Sequence, residues 1–310
     1  MVLTPFVSET VWGGRRLIDE YSVVTDKRNA AEAWVMSAHK SGSSTVANGE
    51  FAGRTLREVY LEHPELGGKN CAGFSDFPVL IKFIDAAADL SVQVHPDDAY
   101  CLKKGSGAGK TESWYILDCE PGAYLLLGFE KDITREQFRQ SITDGTLTDY
   151  VKKVPVKKGD FFFIESGTLH AICKGILLAE VQQNSDTTYR IYDYGRLGFD
   201  GKPRELHVED AVNVTHTGVY KNPCTPKKDG NVTNLVACPF FTERVLDVNG
   251  SFDGTADEKS FVSLLILDGA GSLECAGETL EFSKGGSIFI PANCGEYKIN
   301  GEAKILETRV

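Results

Sequence analysis

Apolar and polar positions alternate with a period near two over much of this chain, and stretches of helical spacing are short. FPVLIKFIDAAADLSVQVHPDD (77–98) reads as two strands around an Asp/Ala turn, and ESWYILDCEPGAYLLLGF (112–129) as a strand, a Pro–Gly turn and a strand. AEAWVMSAH (31–39) alternates as a further strand, followed by the turn-rich SGSSTVANG. The opening PFVSETVWGGRRL predicts a strand, a Gly turn and a short helix, with Trp12 in the core. RTLREVYLEHPELGG (54–68) has helical spacing at Leu56, Val59 and Tyr60 and closes on Gly67 and Gly68. Asp97 and Asp98 can cap a short helix over DDAYCLKKG.

Residues 132–152 break the β pattern with two short amphipathic helical segments, placed to cap one rim of a β structure. The pattern resumes in GILLAEVQQNSDTTYRIYDYGR. RELHVEDAVNV (204–214) is again helical, with Leu206, Val208, Ala211 and Val212 as its apolar set. KNPCTPKKDGN (221–231), with two prolines and several lysines, reads as a linker.

Candidate chemistry centres on LSVQVHPD (90–97). On a strand, side chains at i and i+2 share a face, so Gln93 and His95 project together while Val92 and Val94 turn the other way. Pro96 then ends the strand. Glu112 follows in GKTESWYIL and His170 in KKGDFFFIESGTLHAI. His95, Glu112 and His170, with Gln93 beside them, form a mixed nitrogen and oxygen set. That set suits zinc or another divalent first-row metal, with a position left for substrate or water. Taken alone, a strand His is commonly a hydrogen-bonded core residue; the spacing around His170 carries the reading. Gly159, five residues, Glu165, one residue, Gly167, two residues, His170 resembles the second cupin motif, with Glu165 in place of its Pro. Gln93, His95 and Glu112 then resemble a first cupin motif with Gln replacing its first His.

The chain also repeats itself faintly. WYILD (114–118) is echoed by LLILD (264–268), and Gly285, Pro291, Asn293 and Glu296 copy the spacing from Gly159 to His170. Nothing like Gln93 and His95 precedes Glu296. The expectation is a mainly β, double cupin-like β-barrel (jelly roll) with a short helical insertion in its N-terminal part. Residues 1–220 would form the metal-binding domain and 231–310 a cupin-like domain without metal.

Composition narrows the partners. The chain has 310 residues, 42% of them hydrophobic, and a net charge of −11. That balance argues against nucleic acid or an anionic membrane as partner, and any anionic substrate needs a local cluster of Lys and Arg. Eight scattered Cys without a CxxC, no leader and no apolar run of spanning length point to reduced thiols and a cytoplasmic setting. Oligomeric state is not readable.

FPVLIKFIDAAADLSVQVHPDD, GKTESWYIL, VKKGDFFFIESGTLHAI and AEVQQNSDTTYRIYDYGR, with VWGGRRL and RELHVEDA, together resemble the type I mannose-6-phosphate isomerases in their short bacterial form. The resemblance runs nearly the whole length and is most specific from 77 to 210. It implies a zinc-dependent aldose–ketose isomerase on cupin barrels, acting on a phosphorylated hexose with one metal per chain. Its metal ligands fall on Gln93, His95, Glu112 and His170, and its active-site arginine on Arg190. Lys110 and Glu180 become candidates for the base, and Lys82, Ser91, Lys110 and Arg190 for substrate binding. A salt bridge to Asp186 or Asp193 is the alternative employment for Arg190. Longer relatives carry His-Lys-Pro-Glu where this chain has Gly109-Lys110-Thr111-Glu112, so one candidate base has no counterpart, and Ala31 stands before Glu32 where short relatives often have Gly. A metal-containing cupin oxygenase and a non-catalytic sugar-binding cupin are the competing classes.

Overall fold

A computed structural model describes all 310 residues. Three large sheets carry the architecture. A five-stranded sheet runs Val151–Pro155, Tyr124–Phe129, His170–Ile172, Val92–Val94, Tyr189–Tyr192. A six-stranded sheet runs Phe161–Ile164, Glu112–Cys119, Ile176–Gln183, Val79–Ala86, Glu32–Met36, Phe6–Ser8. The third is built only from residues after 226, with long antiparallel strands Thr242–Ala256, Gly295–Arg309 and Val262–Cys275 at its centre. The sheets are open jelly-roll layers and none closes on itself.

The six-stranded sheet lies in the middle, which explains its composition. Every residue of Val79–Ala86 and of Ile176–Gln183 is buried. One face packs on the five-stranded sheet through Ile84, Trp114, Ile116 and Leu178 against Leu125, Leu127 and Ile172. The other packs on the C-terminal sheet through Val79, Ile81 and Phe163 against Val245, Phe261 and Leu306. A strand covered on both faces has no use for alternation, so it reads as a continuous apolar run. Polar side chains that survive in such strands stand out, and Lys82, Glu112 and Glu180 are three of them.

Most predicted elements form. Arg135–Thr143 and the short turn of helix Leu147–Asp149 fill the insertion, and together with Val208–Val214 they cover the outer face of the five-stranded sheet. Asp97 caps Asp98–Lys104, its carboxylate accepting from the Tyr100 amide. Three expectations need correction. Leu206 is not part of a helical apolar face: that helix begins at Val208, and Leu206 is 48% exposed. The second half of the 221–231 linker is a strand, since Lys227–Asp229 pairs with Val232–Ala237 around a turn at Gly230. The strand over 31–39 breaks at Ser37 into Glu32–Met36 and Ala38–His39, because Ser37 bonds into the neighbouring turn through Ser44 and Gly42.

The sequence echo is a structural repeat. Trp114 pairs with Phe162 just as Leu264 pairs with Ile288. Gly159 and Gly285 both take a left-handed φ, +89° and +88°, before the strands Phe161–Ile164 and Ser287–Ile290.

Candidate metal centre

Two strand registers build the site. In the six-stranded sheet Trp34 lies opposite Lys82, Lys82 opposite Glu180, and Glu180 opposite Trp114. Directly paired residues share a face, so these side chains form one row. Glu112 joins that face two residues before Trp114, opposite Gln182. In the five-stranded sheet Arg190 lies opposite Gln93, and Gln93 opposite His170. His95 extends that face just past the strand end, as the alternation predicts. The two rows meet: the Trp114 and His170 rings stand edge to face with centroids 5.4 Å apart.

Where they meet, His95, Glu112 and His170 converge, their ligand atoms all within 4.8 Å of one another. The Nε2 of His95 is 3.5 Å from Glu112 Oε2, and the Nε2 of His170 is 3.4 Å from Glu112 Oε1. Each imidazole is oriented from behind. His95 Nδ1 donates to the Thr187 carbonyl at 2.9 Å and His170 Nδ1 to the Thr168 carbonyl at 2.8 Å. A carbonyl only accepts, so both protons sit on Nδ1 and both Nε2 lone pairs face the cluster. The segments are tied together by the Gly167 amide, which donates to the His95 carbonyl at 2.8 Å. Only glycine suits that turn: its φ is +86°, and a Cβ would come within 2.8 Å of the His216 ring.

Charge completes the picture. Burial, then the nearby Lys110 and His170, hold His95 well below its ordinary pKa, and burial takes His170 down to about 4. Both imidazoles are therefore neutral ligands-in-waiting. Burial pushes Glu112 up to about 7 despite Lys110, and its Oε1 is buried with no hydrogen-bond partner. The Lys110 ammonium already rests against this group, 3.1 Å from His95 Nε2 and bonded to the Glu112 carboxylate. Two neutral nitrogens, one unsatisfied carboxylate and a pull on cations make a donor set that fits a divalent ion. Gln93 stands alongside, its amide 3.4 Å from His170 Nε2 and accepting from Ser91 Oγ at 3.2 Å.

The remaining candidates line one cavity of about 180 Å³: Lys82, Ser91, Gln93, Lys110, Glu180 and Arg190. Clefts of about 650 and 620 Å³ lie elsewhere, and neither touches the cluster. Lys82 is 6% exposed and pairs with Glu180 at 3.2 Å and Glu32 at 3.6 Å, above the Trp34 ring. Burial alone would raise Glu180, but Lys110 and Lys82 outweigh it and hold the carboxylate at about 2. Its Oε2 accepts from the Trp114 indole at 2.9 Å. Arg190 makes no salt bridge. Asp193 is taken by Arg196 and Arg204, at 2.7 and 2.5 Å, and Asp186 accepts from Ser41. Arg190 donates one bond to the Glu205 carbonyl, and its buried Nε has no partner.

Sequence reasoning missed Glu32, Trp34 and Arg204 in this wall, and Trp12, expected only as a core residue, lines it too. The one available signal was the strand alternation that sets Glu32 and Trp34 on a single face. Arg204 had none, because its place depends on the fold of the loop after Tyr192.

The chain matches two family models, the phosphomannose isomerase type I catalytic domain over residues 1–115 and the mannose-6-phosphate isomerase cupin domain over 231–310. It is 40% identical to a probable mannose-6-phosphate isomerase of Bacillus subtilis, covering 99% of this chain and 98% of that one. It is 38% identical to the mannose-6-phosphate isomerase of Streptococcus mutans, covering 96% and 93%. A crystal structure of the Bacillus subtilis mannose 6-phosphate isomerase superposes with a TM-score of 0.91 at 35% identity, covering 100% and 99%.

Proposed function

Since the chain belongs to the type I phosphomannose isomerase family, we propose that it interconverts mannose 6-phosphate and fructose 6-phosphate in the cavity beside His95, Glu112 and His170. The convergence of those three buried donors beside that cavity carries the reading. Zinc is the ion we assign to them, with Gln93 as the weakest of four ligands. Once bound, such an ion supplies Lewis-acid polarisation of the sugar's carbonyl and hydroxyl oxygens.

The chain's own residues supply the rest. Interconversion moves one proton between C1 and C2 and another between their oxygens, through a cis-enediol. A group that carries a proton must reach it within about 3 Å or through one water. Glu180 is the carboxylate we assign as proton acceptor: it stays ionised between Lys82 and Lys110, the same two ammoniums that weaken it as a base. Lys110 lies 3.9 Å from Glu180 and is the donor placed to return one. Lys82 is spent on Glu32 and Glu180, so its part at the substrate is to fix Glu180 and to balance the wall's charge. Arg190, with a guanidinium Nε still to satisfy, meets negative charge on the substrate's oxygens, and Ser91 steadies Gln93 and offers a hydroxyl to the sugar. All eight cysteines are free, which fits a cytoplasmic setting, and no helix is long and apolar enough to cross a membrane.

The deciding experiment is a coupled assay of fructose 6-phosphate formation from mannose 6-phosphate, with the protein as purified, after chelation and after zinc is restored. Turnover that falls on chelation and returns with the metal is expected. Absence of turnover in the zinc-loaded protein would sink the proposal.

A further inference from the structure

Two of the eight cysteines stand apart. Cys275 ends the strand Val262–Cys275 and Cys294 lies in the turn before Gly295–Arg309. They are 19 positions apart in the chain, yet their Sγ atoms are 3.1 Å from each other. A covalent bond between them needs a shift of about an ångström.

The backbone holds both in place. Cys275 is paired across the sheet with Tyr297, and Ala276 and Gly277 form a left-handed turn directly after it, at φ +51° and +80°. Cys294 sits between two more left-handed residues, Asn293 at +61° and Gly295 at +87°. Both residues are partly exposed, as are Cys119, Cys224 and Cys238, whereas Cys71, Cys101 and Cys173 are buried. Both open onto a mainly apolar cleft of about 370 Å³ whose wall includes Leu273, Leu280 and Phe289. Cys275 also borders the cleft of about 650 Å³ on the other side of its hairpin. None of these residues belongs to the metal cluster or its cavity.

We propose that Cys275 and Cys294 form a reversible dithiol–disulfide couple, a modification site for low-molecular-weight disulfides that is separate from the metal centre. One of the two thiols loses its proton to solvent and attacks a small disulfide, forming a mixed disulfide and expelling one thiolate. The other thiol then loses its proton to solvent and attacks the protein sulfur of the mixed disulfide, expelling the second. Two protein thiols are oxidised to one disulfide while one small disulfide is reduced to two thiols. Either thiol can enter first, since the two Sγ atoms face each other at 3.1 Å and both residues open onto the same cleft. The bond fastens the hairpin after Val262–Cys275 to the start of Gly295–Arg309, leaving the metal site untouched.

The test treats the folded, zinc-loaded protein with oxidised glutathione and maps its peptides without reduction. The expected product is a 275–294 cross-link with loss of two titratable thiols, reversed by a dithiol reductant, and unchanged kcat. In Cys275→Ser the mixed disulfide should accumulate on Cys294, and in Cys294→Ser on Cys275, with no internal cross-link in either variant. The proposal is overturned if the cross-link forms only in denaturant, or if another cysteine is consumed first.

Discussion

The two repeated halves of the molecule each bury two glutamates, and one from each, Glu307 and Glu112, live differently. Glu307, on the C-terminal sheet, is met by Arg244 at 2.8 and 3.0 Å, by Arg309 at 2.8 Å and by the Tyr297 hydroxyl at 2.8 Å. Burial would raise its pKa, but the two guanidiniums hold it below the ordinary value. Glu112, in the N-terminal half, is equally buried, is pushed up to about 7 and keeps one oxygen without a partner. A satisfied buried ion pair is scaffold, whereas an unsatisfied carboxylate facing two neutral imidazoles waits for a cation.

The repeat sharpens the contrast. Val262 stands where Glu112 does, two residues before the echoed Trp114 and Leu264, and it packs with Leu264, Ile266 and Ile288 in an apolar core. His170 is 1% exposed, while Glu296, at the matching position, faces solvent. One strand pattern thus holds chemistry in one copy and apolar packing in the other.

The largest effect that would break this comparison is at the metal cluster. Glu112→Gln should remove the bound metal and lower kcat/KM by more than the 10²–10³ typical of losing one stabilising donor. Metal analysis and the coupled assay on the folded variant check it; a variant that keeps both metal and rate would place the site elsewhere. Next comes Glu307→Gln, which strands two guanidiniums near a buried neutral amide. It should cost roughly 3–5 kcal/mol of stability, the scale for breaking a buried pair. Denaturant melts should show the loss with kcat and metal content unchanged.

Arg190→Ala follows. If Arg190 meets charge that develops on the sugar oxygens, kcat should fall by on the order of 10²–10³ with little change in KM. If it binds the phosphate equally throughout the reaction, KM should rise while kcat holds. Arg190→Lys should rescue little, because an ammonium cannot reproduce a planar fork of donors. Near-normal kinetics in Arg190→Ala with metal retained would return this residue to scaffold.

The sequence made the strands, the glycine turns and the His95, Glu112 and His170 set readable, because period-two alternation and motif spacing are local. What it left dark depends on register between distant strands. Nothing local says that Lys82 will face Glu180, or that the Trp34, Lys82, Glu180, Trp114 row exists at all. Sequence alone offers Asp193 as a partner for Arg190, but the loop that brings Arg204 to Asp193 is decided by tertiary packing. Leu206 kept helical spacing while falling before the helix start, and Lys227–Asp229 looked like linker because an exposed edge strand carries the same polar residues. Domain division is also a matter of tertiary structure: the C-terminal sheet contributes Val245, Phe261 and Leu306 to the core that the six-stranded sheet uses.

A pH-dependent effect tests that shared core, where the C-terminal sheet touches the strand that carries Glu112. Glu243 lies opposite Thr308, and Thr308 opposite Ser263, forming a polar row on the face packed against the six-stranded sheet. Glu243 meets Ser113, the neighbour of Glu112, which donates its hydroxyl proton to the carboxylate. The Ser263 and Thr308 hydroxyls in the same row have no partner. With no cation in reach, burial pushes Glu243 up to about 8 from an ordinary 4.5. Below pH 4.5 this group is protonated in both folded and unfolded chains and contributes no slope. Between 4.5 and 8 the folded protein holds a proton that the unfolded chain has released, so stability falls as pH rises, by up to ~1.4 kcal/mol per unit. Above 8 both states are ionised and the loss is complete. Glu243→Gln keeps an amide in the same space without the titration, so its stability should be flatter than wild type over that window. Urea melts of the two metal-free proteins at several pH values measure the difference directly. Parallel slopes would mean that Glu243 is ionised in the folded protein and that the seam holds a charge it does not show.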